Sequence, residues 1–150
     1  ENNIVVLIKE NIKLLKELDN SINIDLVINS KKIILNSDKE QISRVFLNLI
    51  KNSIESIQQK AENDSNFIKN ITIELIDYDD HINLVIIDNG QGFGRHSKNT
   101  KDFLNPYFTT KKNGTGLGLS IANKIINDHN GKIEFIPLDN GAKIKIKFIK

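Results

Sequence analysis

The chain of 150 residues contains no cysteine. That excludes a disulfide framework and any thiolate metal site, and it fits a reducing compartment. Long apolar runs are missing too: stretches such as Leu84 to Ile87 are far too short to span a bilayer, and no secretory signal is visible. Nor is one sign of charge in excess, since 21 Lys and Arg face 19 Asp and Glu, for a formal net charge of +2. Dispersed lysines with so small a balance argue against nucleic acid or an anionic membrane as the main partner. Methionine is absent even at position 1, so a chain that begins Glu1-Asn2-Asn3 is expected to be a piece of a longer protein.

What remains is the composition of one soluble globular domain spanning residues 1–150, with 39% hydrophobic and 27% charged residues. Apolar side chains at Ile4, Leu7, Ile8, Leu14, Leu15 and Leu18 follow the 3.6 period of an amphipathic helix. Ile22 to Ile28 and Ile33 to Leu35 read as strands. Ser37 and Glu40 have capping-box spacing, with Ser37 as N-cap of a long helix reaching about Gln59. Ile71 to Tyr78 and Ile82 to Ile87 flank Asp79-Asp80-His81 as an antiparallel hairpin. Asn89 to Asn113 shows no sustained period and reads as a long loop. Leu117 to Asp128 resumes a helix, with Ile121, Ala122, Ile125 and Ile126 inward and Asn130-Gly131 closing it. A last hairpin turns about Asp139-Asn140-Gly141.

Three features carry chemistry. The segment Phe108 to Ser120, FTTKKNGTGLGLS, alternates Gly114, Gly116 and Gly118 with small or apolar residues where a loop meets a helix. Glycines let the backbone approach a ligand, and a helix N-terminus offers unpaired N–H groups to an anion such as phosphate. Lys111, and equally Lys112 by position, could bring a positive charge to a terminal phosphate, or could be ordinary solvated lysines. The string is neither a Walker A loop nor a dinucleotide fingerprint: no Lys-Ser or Lys-Thr follows, and the spacing is wrong.

The second feature lies on the long helix. Projected at 100° per residue, Gln41, Asn48, Asn52, Glu55 and Gln59 fall in one line, while Ile42, Val45, Phe46, Leu49, Ile50 and Ile57 fill an apolar arc. A polar line on a helix can be a solvated face. A helix so apolar elsewhere is expected to be buried, which would turn this edge into a cleft where amide oxygens could enter the oxygen shell of Mg²⁺. Asparagine is abundant here, so position, not mere occurrence, is the argument. The third feature is Asp88, which ends a buried-looking strand just before Asn89-Gly90-Gln91-Gly92. It could accept a hydrogen bond from an exocyclic amine such as adenine's, or Asp-Asn-Gly could be simply a turn.

Taken in order, these segments resemble the Bergerat-type ATP-binding fold shared by sensor histidine kinases, type II topoisomerases, heat-shock chaperone ATPases and mismatch-repair ATPases. NLIKNSIESI around Asn48 and Asn52 is similar to the family's N box, DNGQGF from Asp88 to its first glycine box, LNPYFTTK ending at Lys111 to its F box, and GTGLGLS to its second glycine box. The wording is most similar to bacterial sensor histidine kinases of the nitrogen-regulation type. The resemblance implies an α+β fold: a two-layer sandwich with a mixed, mostly antiparallel sheet covered on one face by helices. It implies ATP and Mg²⁺ as ligands, with Asn52 on the metal and Asn48 supporting the phosphate and metal site. Asp88 would contact adenine, Gly90 and Gly92 would pack backbone closely, and Gly114, Gly116 and Gly118 would cradle phosphate. Lys111 would reach the terminal phosphates and Phe108 would fasten the lid, with Thr109, Thr110, Thr115, Leu117 and Leu119 in the same nucleotide-binding set. Glu55 departs from the basic residue that many family kinases carry three positions after the metal-binding asparagine.

The resemblance also implies a reaction. Hydrolytic branches place a glutamate general base four residues before the metal-binding asparagine, and this chain has Asn48 there, which cannot accept that proton. Transfer of the γ-phosphate to a histidine on a separate phosphoacceptor domain of the same parent protein is therefore expected, followed by passage to a response regulator. None of His81, His96 and His129 has the setting of that phosphoacceptor; His129 is expected at a helix C-terminus, where positive charge is favourable. The parent is expected to be a homodimer, with this domain cytoplasmic and outside the membrane even if the parent is anchored in the inner membrane. An anti-sigma-type protein serine kinase and a non-enzymatic nucleotide-gated interaction module are the alternatives.

Overall fold

The computed structural model describes residues 1–93 and 118–150. Its central element is the helix α2 (Lys39–Ala61), which buries Ile42, Val45, Phe46, Leu49, Ile50 and Ile57, the apolar arc read from the sequence, together with Ser53. The N-cap is Asp38 and not Ser37: Asp38 Oδ1 accepts the Gln41 N–H at 3.1 Å. Ser37 is occupied elsewhere, its hydroxyl donating to Leu35 O at 3.4 Å and its carbonyl accepting from the Asn2 amide. The carboxylate one residue later is free to cap, and its charge suits the positive end of the helix.

Helix α1 (Ile4–Leu18) begins where the sequence places it, capped by Asn3, whose Oδ1 accepts N–H bonds from both Val5 and Ile33 at 3.2 Å. Ile4, Leu7, Ile8, Ile12 and Leu15 are buried, whereas Leu14 and Leu18 fall beside that stripe and are exposed. The buried Asn11 is paired with Ser43 of α2, donating to its hydroxyl at 2.9 Å, so the helix interface carries one satisfied polar tie. Ahead of α1, the two-residue strand β1 (Asn2–Asn3) pairs antiparallel with β3 (Ile34–Leu35). The polar Asn2-Asn3 pair carries no alternation that would announce it.

The main sheet contains β2 (Asn23–Ile28), β4 (Asn70–Asp77), β5 (His81–Asp88), β6 (Gly131–Leu138) and β7 (Gly141–Ile149) in the order β2-β4-β5-β7-β6. Among the described residues only β2 and β4 run parallel, and the other pairings of this sheet are antiparallel. Ile71, Ile73 and Leu75, Ile82, Leu84 and Ile86, and Ile144, Ile146 and Phe148 form one buried face, which joins the apolar sides of α1, α2 and α3 (Gly118–Asp128) in one core. The protein is thus a two-layer α/β structure with a mixed, mostly antiparallel sheet. No helix among the described residues is long and apolar enough to cross a membrane.

His81 is not a turn residue but the first of β5, paired with Ile149 and stacked on Tyr78 with ring centroids 4.5 Å apart. Ile121 is 36% exposed while Ala122, Ile125 and Ile126 of α3 are buried, so Ile121 lies at the edge of the packed face and not within it. After α3, Asn130 takes the left-handed conformation (φ 56°) that ends the helix.

His129 contradicts the expectation of a favourable positive charge. Its Nδ1 lies 2.7 Å from Ile125 O, and its Nε2 accepts the Asp38 backbone N–H at 3.0 Å. Only the neutral ring with the proton on Nδ1 can donate to the one and accept from the other. The imidazole therefore ties the end of α3 to the N-cap of α2. His129→Ala is expected to lower stability by about 1 kcal/mol, the size of one net hydrogen bond, and an unchanged urea midpoint would reject the tie.

Candidate functional site

The site is organised along one side of α2, from Ser56 toward its N-terminus. Ser56 meets the loop after β5 by direct backbone packing: a Cβ on Gly90 would lie 2.5 Å from Ser56 Oγ and 2.7 Å from Ser56 C. Gln91 N–H donates to Ser56 O at 3.3 Å on the same contact. No larger residue fits at position 90 without pushing the loop off α2.

Asp88, the last residue of β5, is only 4% exposed. Its Oδ1 accepts the Gly90 N–H at 2.9 Å, so the turn reading of Asp-Asn-Gly is correct as far as it goes. The buried Ser53 of α2 lies near enough to the carboxylate to favour its charged form. Burial pushes the Asp88 carboxyl above the usual carboxylate range, opposed by the bonds from Gly90, Ser53 and Ala142 and by the nearby Lys60 ammonium. A simple turn has no need of a buried carboxylate. Asn89 anchors the loop from outside, accepting the Asn70 N–H at 3.0 Å and donating to Ile68 O at 2.7 Å. Lys60 Nζ donates to Asn89 O at 3.2 Å while lying 5.1 Å from the Phe67 ring centroid.

The sign of the Asp88 shift sets its stability effect. The folded state holds this proton more tightly than the unfolded chain, so stability falls as pH rises through the raised value. Asp88→Asn keeps an acceptor for the Gly90 N–H and removes the charge. We expect it to leave the thermal midpoint equal or higher while lowering the preference for ATP over GTP by about tenfold, the value of one buried hydrogen bond to a charged group. An unchanged preference in calorimetry would reject the adenine contact.

One and two turns further along α2, Asn52 and Asn48 are half-buried, as is Glu55, whereas Gln41 and Gln59 at the ends of the predicted stripe are exposed. A Cβ on Gly118 would lie 2.9 Å from Asn48 Nδ2 and 3.0 Å from its Oδ1. The first residue of α3 therefore sits on the Asn48 amide, and only glycine permits that distance with Asn48 unmoved. Leu119 follows, packed partly against the core. Between α2 and α3 at this point lies a cleft of about 220 Å³, with Asn48, Gly118 and Arg44 at its rim and Val45, Ala122 and Ile125 in its wall.

The predicted residues Phe108, Thr109, Thr110, Lys111, Gly114, Thr115, Gly116 and Leu117 lie outside the described residues. Among the described residues, Gly118 sits on Asn48, while about two turns along α2 Gly90 packs on Ser56 beside Asp88, and Gly141 lies between Asp88 and Gly92. Gly92 (φ 77°) packs on the Gly141 carbonyl, and Phe93 makes an edge contact with Phe135 at 5.8 Å. The sequence reading missed Ser53, Ser56 and Gly141. The two serines are small polar residues that project inside the apolar arc, which is their only signal; Gly141 shows only its hairpin role in the sequence.

Among the described residues no group of three or more His, Cys, Asp or Glu could hold a metal. A hard cation that keeps its waters and phosphate oxygens needs few protein ligands, and an amide oxygen such as that of Asn52 is one of the right kind.

Residues 37–149 match the family model of histidine kinase-, DNA gyrase B- and HSP90-like ATPases. The chain belongs to this ATPase family. Among its relatives is an NtrY-like sensor histidine kinase of Rickettsia typhi, 32% identical over 99% of this chain and 24% of the relative. The chain thus spans about a quarter of the length of that relative. The nucleotide-free catalytic domain of the histidine kinase ThkA superposes with a TM-score of 0.83 at 30% identity, covering 99% of this chain and 93% of that one. ThkA solved in complex with the response regulator TrrA matches with a TM-score of 0.77 at 27% identity, over 99% of this chain and 41% of that one.

Proposed function

We propose that this chain is the catalytic domain of a sensor histidine kinase, binding Mg-ATP and presenting its γ-phosphate to a histidine on a phosphoacceptor domain of the same parent protein. The observation that carries this reading is the Asn48 amide, half-buried on the cleft-facing edge of α2 with Gly118 seated on it. A carboxylate at that place could take a proton from attacking water, and an amide cannot. The remaining task of the site is positioning and neutralising charge, which is what phosphoryl transfer to a supplied nucleophile requires.

In this reading Asp88 holds the adenine amine, Gly90 and Gly92 bring backbone against the base, and the Asn52 oxygen is one ligand of Mg²⁺, which when bound offsets negative charge on the phosphate oxygens. Asn48 orients the phosphate end, together with the glycines through Gly118, and Lys111 supplies a cation to the terminal phosphates. The names of the relatives support histidine as the acceptor, and the complex of ThkA with TrrA supports a response regulator as the next recipient. The parent would act as a homodimer, each copy offering one such domain.

The test is to incubate the protein with γ-labelled ATP and a separately produced phosphoacceptor domain. Label that survives alkali and is lost in acid, as a phosphoramidate is, is the expected result. Acid-stable label on serine would replace this reading with an anti-sigma-type kinase, and tight Mg-ATP binding with no transfer would replace it with a nucleotide-gated interaction module.

A further inference from the structure

We propose that Arg44 contacts the terminal phosphate of the bound nucleotide, a role resting on the Mg-ATP reading above and adding a residue to it. Arg44 is exposed, lines the cleft between α2 and α3 with Asn48 and Gly118, and is the one charged side chain in that lining among the described residues. It has no ion-pair partner among them either, since the pairs they form are Lys39–Glu10, His81–Asp80, Lys124–Asp128 and Lys150–Asp77. An unpaired guanidinium at the rim of an otherwise uncharged cleft is placed to meet an anion from outside the chain.

Position along α2 says which anion. Four residues separate Arg44 from Asn48, so it lies one turn nearer the N-terminus and about 40° round the helix from it. In the other direction come Asn52, then Ser53 against Asp88, then Ser56 under Gly90. The order of contacts along the helix is base, metal, phosphate, Arg44. From Ser56 to Arg44 the helix rises about 18 Å, so a nucleotide with its base at Asp88 and its chain directed past Asn52 and Asn48 ends toward Arg44. The planar guanidinium offers paired N–H donors that match phosphate oxygens, and it stays charged at any working pH. Glu55, in contrast, lies beyond Asn52 on the base side, so no repulsion from it reaches this end directly.

The contact predicts discrimination between ATP and ADP. Calorimetry with Mg-ATP and with Mg-ADP on the unsubstituted chain, Arg44→Ala and Arg44→Lys is the experiment. Arg44→Ala is expected to weaken Mg-ATP by about tenfold and Mg-ADP by less than about twofold, in line with loss of one charge-assisted contact. Arg44→Lys should recover part of the loss. Because Arg44 is exposed, the nucleotide-free thermal midpoint of both variants should be unchanged, which separates the effect from folding. Equal losses for the two nucleotides, or no loss for either, would overturn the proposal. An unaltered ATP-to-ADP ratio with transfer abolished would also overturn it, pointing to Arg44 as a contact for the acceptor domain. Should the unsubstituted chain bind neither nucleotide, the Mg-ATP reading itself falls, and the proposal with it.

Discussion

Asn52→Ala should weaken Mg-ATP binding by about tenfold or more when Mg²⁺ is in excess, and should change binding by less than about twofold when the metal is removed by chelator. The amide is half-buried on the edge of α2, between the Asp88 pocket and Asn48, where a ligand with its base at Asp88 must pass. In the proposed site truncation removes one hard oxygen ligand, and alanine, an excellent helix former, keeps the helix backbone in place. The loss should therefore appear as metal-dependent affinity and not as unfolding. Calorimetry in the two buffers decides the matter: an equal loss with and without metal would assign Asn52 to the nucleotide and not to Mg²⁺. Transfer to an acceptor domain should fall at least as far as binding does.

The largest effect on stability is expected from Gly141→Ala. Gly141 has φ 133°, and a Cβ there would lie 1.9 Å from Asp88 O and 2.8 Å from Asp88 C. Both obstacles are main chain of the central strand, so no side chain can swing away. A backbone conformation reserved for glycine and an overpacked contact each cost on the order of 1–3 kcal/mol, and together about 3 kcal/mol or more is expected. For a domain of this size that is a drop of roughly 10 °C in thermal midpoint. Urea unfolding measures it directly, and a loss below about 1 kcal/mol would show that β5 and β7 can separate cheaply at this point. The variant should also bind nucleotide poorly even where folded, because the carbonyl that must move belongs to Asp88, and Gly92 packs on the Gly141 carbonyl from the other side.

Hairpin glycine and site support are thus the same residue, and the sequence showed only the first role. Asp139-Asn140-Gly141 announces a turn between two strands, and the turn is there, with Leu138 paired to Gly141. Nothing in the local string says that β7 will start beside the end of β5, because that adjacency crosses more than fifty residues and is made by sheet order. Ser53 shows the same limit from the helix side. Its place in the helical projection sets it inside the apolar arc, yet the group it acts on is the Asp88 carboxyl, brought near it by the packing of α2 on the sheet. The N-cap was misplaced by one residue for a related reason: Ser37 and Asp38 are equally good caps in isolation, and the ribbon of β1 and β3 claims Ser37.

His129 and Arg44 mark the two ways in which a sequence reading of a charged or titratable residue goes astray. For His129 the general preference for positive charge at a helix end yields to one particular N–H donor, that of Asp38, arriving from another helix. For Arg44 the sequence carries no signal, because a lone arginine on a helix is ordinary. It becomes a candidate only when α3 closes a cleft around it.

By itself the sequence determined the elements other than β1, and the residue types at the site. Periodicity marks α1, α2 and α3, β-branched runs mark the strands, and the amides, carboxylate and glycines stand in a recognisable order, because these features depend on neighbours a few residues apart. The tertiary structure decided what those residues face. It buried Asp88 against Ser53, set Gly118 on Asn48, put Gly141 under the Asp88 carbonyl and left Arg44 at the mouth of a cleft. Burial, close approach and an open cleft are properties of surfaces brought together from distant parts of the chain, and they exist only once α2 and α3 have packed beside each other on the sheet.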